Sequence, residues 1–174
     1  EEFETVTEAQ YIDMIRLKTA VLLGFSLEYG GLLAGMDETQ LSQLFKIGEK
    51  AGIGFQLMDD LLDVYGDKAK FGKQVGGDIV SNKKTYLLIK ALELANESQR
   101  QEMDKWLSAE TFDINEKVTA IKNIYGELGI FELTQEKMNS YYDEAFELLD
   151  GLDGREEGKR LLRDFFERLM KREK

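Results

Sequence analysis

Gln56, Asp59, Asp60 and Asp63 stand at i, i+3, i+4 and i+7 within an apolar, glycine-bearing stretch that runs from Gly52 to Thr85. On an α-helix this spacing puts the four polar side chains on one face, with Leu57, Met58, Leu61 and Leu62 on the other side. Such a helix packs one side into a core and points oxygen ligands into a cavity. Hard cations such as Mg²⁺ use ligands of this kind, usually one or two carboxylates, with water and phosphate oxygens completing the shell. Between Asp67 and Val80 the glycines Gly72, Gly76 and Gly77 break periodicity, which predicts a loop. Its lysines, Lys70 and Lys73, suit closure over an anionic ligand. Carboxylates on a helix beside a lysine-bearing loop are chemistry for a metal-held diphosphate.

The run Asp59-Asp60-Leu61-Leu62-Asp63 resembles the second aspartate-rich motif, DDxxD, of the trans-isoprenyl diphosphate synthases, also called polyprenyl synthetases. Alone the pattern is weak, because aspartates cluster by chance in an acidic chain. Its flanks follow the family's order: Phe55-Gln56 before it, then Gly66-Asp67, Gly72-Lys73, Gly76-Gly77-Asp78, and Asn82 to Thr85 reading NKKT. Upstream, Tyr11 to Gly35 is similar to the family's lysine-threonine helix, with Lys18-Thr19 as the matching pair. Taken by itself, a lysine in so apolar a run reads equally as a side chain snorkelling from the helix edge, since an unpaired buried ammonium is costly.

The resemblance implies an all-α fold, a helical bundle of the isoprenoid synthase type that is incomplete in this chain. Residues 1–174 would be the C-terminal part of a single all-helical domain. The implied reaction is head-to-tail condensation: an allylic prenyl diphosphate ionises, isopentenyl diphosphate attacks the cation, and loss of a proton gives a longer prenyl diphosphate. Mg²⁺ is the implied cofactor. The resemblance makes Asp59 a direct metal ligand and puts Asp60 and Asp63 nearby, ligating directly or through metal-bound water. Lys18, Lys73 and Lys83 would contact diphosphate oxygens, as point charges on long stems. Thr19 and Gln56, with the backbone carbonyl of Lys18, would turn oxygen dipoles towards the carbocation. The released diphosphate would take the proton. Lys83 and Lys84 lie about 100° apart on a helix, so only one points inward, and the motif selects Lys83. Ser81 departs from the acidic or other polar residue of many relatives.

The family's first aspartate-rich motif and the arginine pair after it are missing, and no second DDxxD occurs. Residues 1–174 alone are therefore expected to be inactive in prenyl transfer, and product chain length cannot be read from them. Two rival readings are a non-catalytic regulatory subunit and a class I terpene cyclase. The first predicts loss of motif carboxylates or lysines, none of which is lost in this part. The second predicts a motif of the form N/D-D-x-x-S/T-x-x-x-E, which is not present.

Composition narrows the partners. With 23 basic and 34 acidic residues the net charge is −11, which disfavours nucleic acid, a ligand bound by basic surface. Without cysteine there is no thiol catalysis or zinc-thiolate site, and without histidine the usual base near neutral pH is missing. No apolar run reaches membrane-spanning length and no signal peptide is legible, so a cytoplasmic location is expected, and a homodimer by resemblance.

The elements that must position these groups read as helices throughout, in keeping with a chain that has no proline. Thr7 with Gln10 forms a capping-box start for a helix running to about Leu33, and Asp37 with Gln40 repeats the device for one ending near Tyr65-Gly66. Gly48, Gly52 and Gly54 inside that second helix either allow close approach of a neighbour or are merely tolerated in packing. Further helices are predicted from about Asn82 to Leu94, Ser98 to Ser108, Asp113 towards Gly126, Ile130 to Leu149 and Glu156 to Arg172. The charged tail from Arg163 reads as a solvated helix end.

Overall fold

The computed structural model describes residues 6–66 and 76–171, and among these there are helices and no strand. Lys70, Gly72 and Lys73 lie outside the described residues. The helices are α1 (Glu8–Ile15), a π-helical turn (Arg16–Ala20), α2 (Val21–Leu33), α3 (Glu38–Tyr65), α4 (Gly77–Val80) and α5 (Tyr86–Leu94). They are followed by α6 (Glu97–Ser108), α7 (Ile114–Glu127), α8 (Ile130–Asp150) and α9 (Glu156–Met170).

Caps set several of these starts. Thr7 and Gln10 bond reciprocally before α1, as do Asp37 and Gln40 before α3. Asn96 and Gln99 form a third capping box at α6, a residue earlier than the expected start, and Asp113 accepts two backbone N–H groups at α7.

Two departures from the sequence reading bear on the site. The run expected as one helix to Leu33 contains a π turn, closed by the Val21 N–H on the Arg16 carbonyl, and Lys18 and Thr19 lie inside it. Such turns recur at functional sites. The helix expected from Asn82 begins at Tyr86 instead. Asn82 takes a left-handed φ of 52°, which no helix interior accepts, and Thr85 caps α5 through the N–H of Leu88. The segment just before, expected as loop, holds the one-turn helix α4.

The chain divides into two compact units. One comprises residues 6–11, 59–66 and 76–135. Its core gathers Leu61 and Val64 of α3 with Leu87 of α5, Met103 of α6, and Ile121 and Tyr125 of α7. Helix α7 packs on α4, α5 and α6.

The other unit comprises Ile12–Met58 and residues 136–171. Here the glycines of α3 mark close approach. A Cβ on Gly52 would stand 2.6 Å from Ala20 Cα, one on Gly48 2.7 Å from the Leu23 carbonyl, and one on Gly54 2.7 Å from the Tyr142 ring. In α9 Arg163 stacks on Phe146 at 4.6 Å and pairs with Asp150 at 2.6 Å, so this end of the charged tail is packed rather than merely solvated.

Candidate active site

Helix α3 carries Gln56, Asp59, Asp60 and Asp63, but its buried stripe cuts across the expected faces. From Gln56 to Val64 the buried residues are Leu57, Asp60, Leu61 and Val64, while Asp59 and Asp63 are half-buried, as are Met58 and Leu62. The fall of 100° per residue explains this, because Asp60 stands between the carboxylate face and the core-facing stripe.

At 2% exposure Asp60 is surrounded by partners. The Tyr11 hydroxyl donates a short hydrogen bond to its Oδ2, and the Lys83 ammonium stands 3.4 Å from its Oδ1. Lys83 also donates to Asp78 Oδ2 at 2.8 Å. Burial pushes the Asp60 carboxyl up to about 6, although Tyr11 and Lys83 oppose the rise. Burial lifts the Tyr11 hydroxyl too, and the Asp60 charge adds to it. For Lys83, burial favours the neutral form, but Asp78 and Asp60 outweigh it and hold the ammonium above its ordinary value.

Asp63 serves the adjoining turn. Its Oδ2 accepts the Asp78 N–H at 2.8 Å, and its carbonyl accepts the Gly76 N–H at 2.7 Å. Burial raises its pKa, with the Asp78 N–H opposing. Lys84 faces elsewhere, lining a cavity with Thr7, Glu93 and Arg100. Asp78 and Tyr11 were not singled out as site residues from the sequence. The Gly-Gly-Asp run was the available signal for Asp78, whereas Tyr11 looks like an ordinary core tyrosine.

In the other unit the π turn brings Thr19 to Gln56, its Oγ1 donating to Gln56 Oε1 at 3.1 Å. Lys18 is exposed. Arg16 in the same turn donates to Glu49 of α3 at 3.1 Å.

Among the described residues no three acidic side chains gather into a ready-made cation cage. The donors nonetheless suit Mg²⁺. Asp59 and Asp63 are carboxylates one turn apart and half-buried, and this ion needs only one or two such ligands when phosphate and water supply the rest. Asp60 already takes the Tyr11 hydroxyl and the Lys83 ammonium, so it would meet such an ion through a water molecule or only with the ammonium displaced.

The polyprenyl synthetase family model matches residues 1–127. This chain belongs to the polyprenyl synthetase family. It is 47% identical over 93 residues to the geranylgeranyl pyrophosphate synthase of Geoglobus acetivorans, covering 53% of this chain and 29% of that protein. To the short chain isoprenyl diphosphate synthase of Methanothermobacter thermautotrophicus it is 37% identical over 127 residues, covering 69% of this chain and 39% of the relative. A crystal structure of a geranylgeranyl pyrophosphate synthase superposes with a TM-score of 0.90 at 36% identity, over 99% of this chain and 54% of that one. The chain thus spans about half, or less, of the length of these polyprenyl synthetases. The all-α isoprenoid-synthase fold implied by the motifs is the fold found.

Proposed function

We propose that this chain is the C-terminal part of a trans-prenyltransferase that condenses isopentenyl diphosphate head-to-tail with an allylic prenyl diphosphate. The observation that carries the reading is the gathering of Asp60, Asp78 and Lys83 at the DDxxD end of α3, in a member of the polyprenyl synthetase family. Mg²⁺ held by Asp59, with Asp60 and Asp63 directly or through water, would neutralise the charge that grows on a leaving diphosphate.

The chain's own residues divide the remaining work. Lys83, with Lys18 and Lys73, binds diphosphate oxygens. Thr19 and Gln56, with the Lys18 carbonyl, orient the allylic carbon and present dipoles without a strong nucleophile. By resemblance to the family, the released diphosphate takes the proton. We place the protein in the cytoplasm as a homodimer.

An elongation assay on the full-length protein, with labelled isopentenyl diphosphate and an allylic primer, tests this. Product should form with Mg²⁺ and stop with a chelator; no product with any allylic primer overturns the reading. Residues 1–174 alone, carrying a single DDxxD, should bind magnesium pyrophosphate weakly without elongation. Robust elongation by them would refute the need for a second aspartate cluster.

A further inference from the structure

Lys117 of α7 is wholly buried, at 0% exposure, yet among the described residues no carboxylate pairs with it. Its Nζ donates to Asn82 Oδ1 at 2.6 Å and to the Val80 carbonyl at 3.4 Å, and lies 4.1 Å from the centre of the Phe112 ring. Burial lowers its pKa. Desolvating an ammonium is costly, and a methionine of similar length would fill the space without that penalty. What the lysine adds is therefore its hold on the turn after α4.

That turn has a defined geometry. The Lys83 N–H bonds the Asp78 carbonyl at 2.9 Å and the Asn82 N–H bonds the Ile79 carbonyl at 3.2 Å, a Schellman closure with Asn82 at the left-handed position. The Asn82 amide is fixed at both ends, because its Nδ2 donates to the Leu107 carbonyl at 2.9 Å. The next residue is Lys83, which reaches Asp78 and Asp60. Helix α7 also braces the other end of α4: a Cβ on Gly76, at φ 90°, would stand 2.9 Å from Val118 Cγ1.

We propose that Lys117, acting through Asn82, is a positioning residue that aims the Lys83 ammonium at Asp60 and Asp78 and thereby sets the affinity for a magnesium-bound diphosphate. The diphosphate clause rests on the function proposed above. A turn that needed only the left-handed conformation would be served as well by glycine, which enters it without a Cβ penalty. A strut needs the asparagine oxygen.

Calorimetry of magnesium pyrophosphate binding to the full-length protein separates the two. Asn82→Gly and Lys117→Met should each weaken binding several-fold, up to roughly tenfold, as expected for losing a charged hydrogen bond. The double variant should be no weaker than the worse single one, and neither substitution should matter once Lys83 is alanine. Parent affinity in Asn82→Gly, or losses that persist in the Lys83→Ala background, would overturn the proposal. If Lys83→Ala itself binds pyrophosphate as the parent does, the diphosphate reading fails instead. The strut is then decided by the crystal structure of Asn82→Gly, where Lys83 still seated on Asp60 and Asp78 would refute it.

Discussion

Tyr11 reaches Asp60 across 49 residues of chain, its hydroxyl donating to the carboxylate Oδ2. The contact ties α1 to the aspartate-rich end of α3 within one unit. It also satisfies one oxygen of a carboxylate that burial would otherwise drive further towards its neutral form.

A raised carboxyl pKa makes ionisation destabilising. Between the ordinary value of 3.8 and the folded value of about 6, the folded chain keeps a proton that the unfolded chain releases. The contribution of Asp60 is thus present below pH 3.8 and is lost as pH rises through about 6. By the linkage relation the loss is about 2–3 kcal/mol. Asp60→Asn cannot ionise, so without metal it should gain stability relative to the parent between pH 3.5 and pH 7. Urea unfolding at the two pH values in chelator measures this, and an unchanged difference would refute the assigned shift.

Asp59 is half-buried on α3, so replacing it should disturb chemistry more than packing. In the full-length protein Asp59→Ala should lower turnover roughly a hundredfold or more, because the charge developing on the diphosphate is left uncompensated. The circular dichroism of the helices should match the parent. Near-parental turnover at ordinary magnesium would move the cation off this face.

The glycines of α3 separate packing from propensity. A Cβ at Gly48 would meet backbone, 2.7 Å from the Leu23 carbonyl and 2.8 Å from Gly24 Cα, and neither can swing aside. Gly48→Ala should destabilise by about 1–3 kcal/mol. Gly30 in α2 has nothing within 4 Å of its added Cβ, so Gly30→Ala should stabilise by about 0.5–1 kcal/mol. Chemical denaturation of the two variants decides, and equal effects of one sign would show that helix propensity alone governs both.

Much of this was legible beforehand because it is local. The reciprocal Thr7–Gln10 and Asp37–Gln40 pairs announce the starts of α1 and α3. What escaped the sequence depends on tertiary placement or on one residue's backbone. The burial of Asp60 follows from which neighbours cover α3, and the Tyr11 contact joins distant segments. The π turn lengthens one helical turn without any compositional mark. The left-handed Asn82 turned an expected helix start into a helix end, and what holds it there is a lysine 35 residues away.

The π turn has a consequence for association. Bonded from i to i+5, it brings Leu17 and Leu22 onto one side of the α1–α2 run, where a regular helix would separate them. Leu22 is 69% exposed and Leu33 73%, and Phe25, Tyr29 and Leu32 are also exposed, with Phe25 stacked on Tyr29 at 5.8 Å. An apolar stripe of this length is a candidate contact face. Residues 1–174 alone should therefore self-associate at micromolar concentration, and the paired change Phe25→Glu with Leu33→Glu should shift the population towards monomer. Both side chains are solvent-facing, so the variant should keep its helical content. Sedimentation velocity over a concentration series reads the outcome: a parent chain that stays monomeric throughout, or association that survives the two glutamates, would show that this stripe is not the contact.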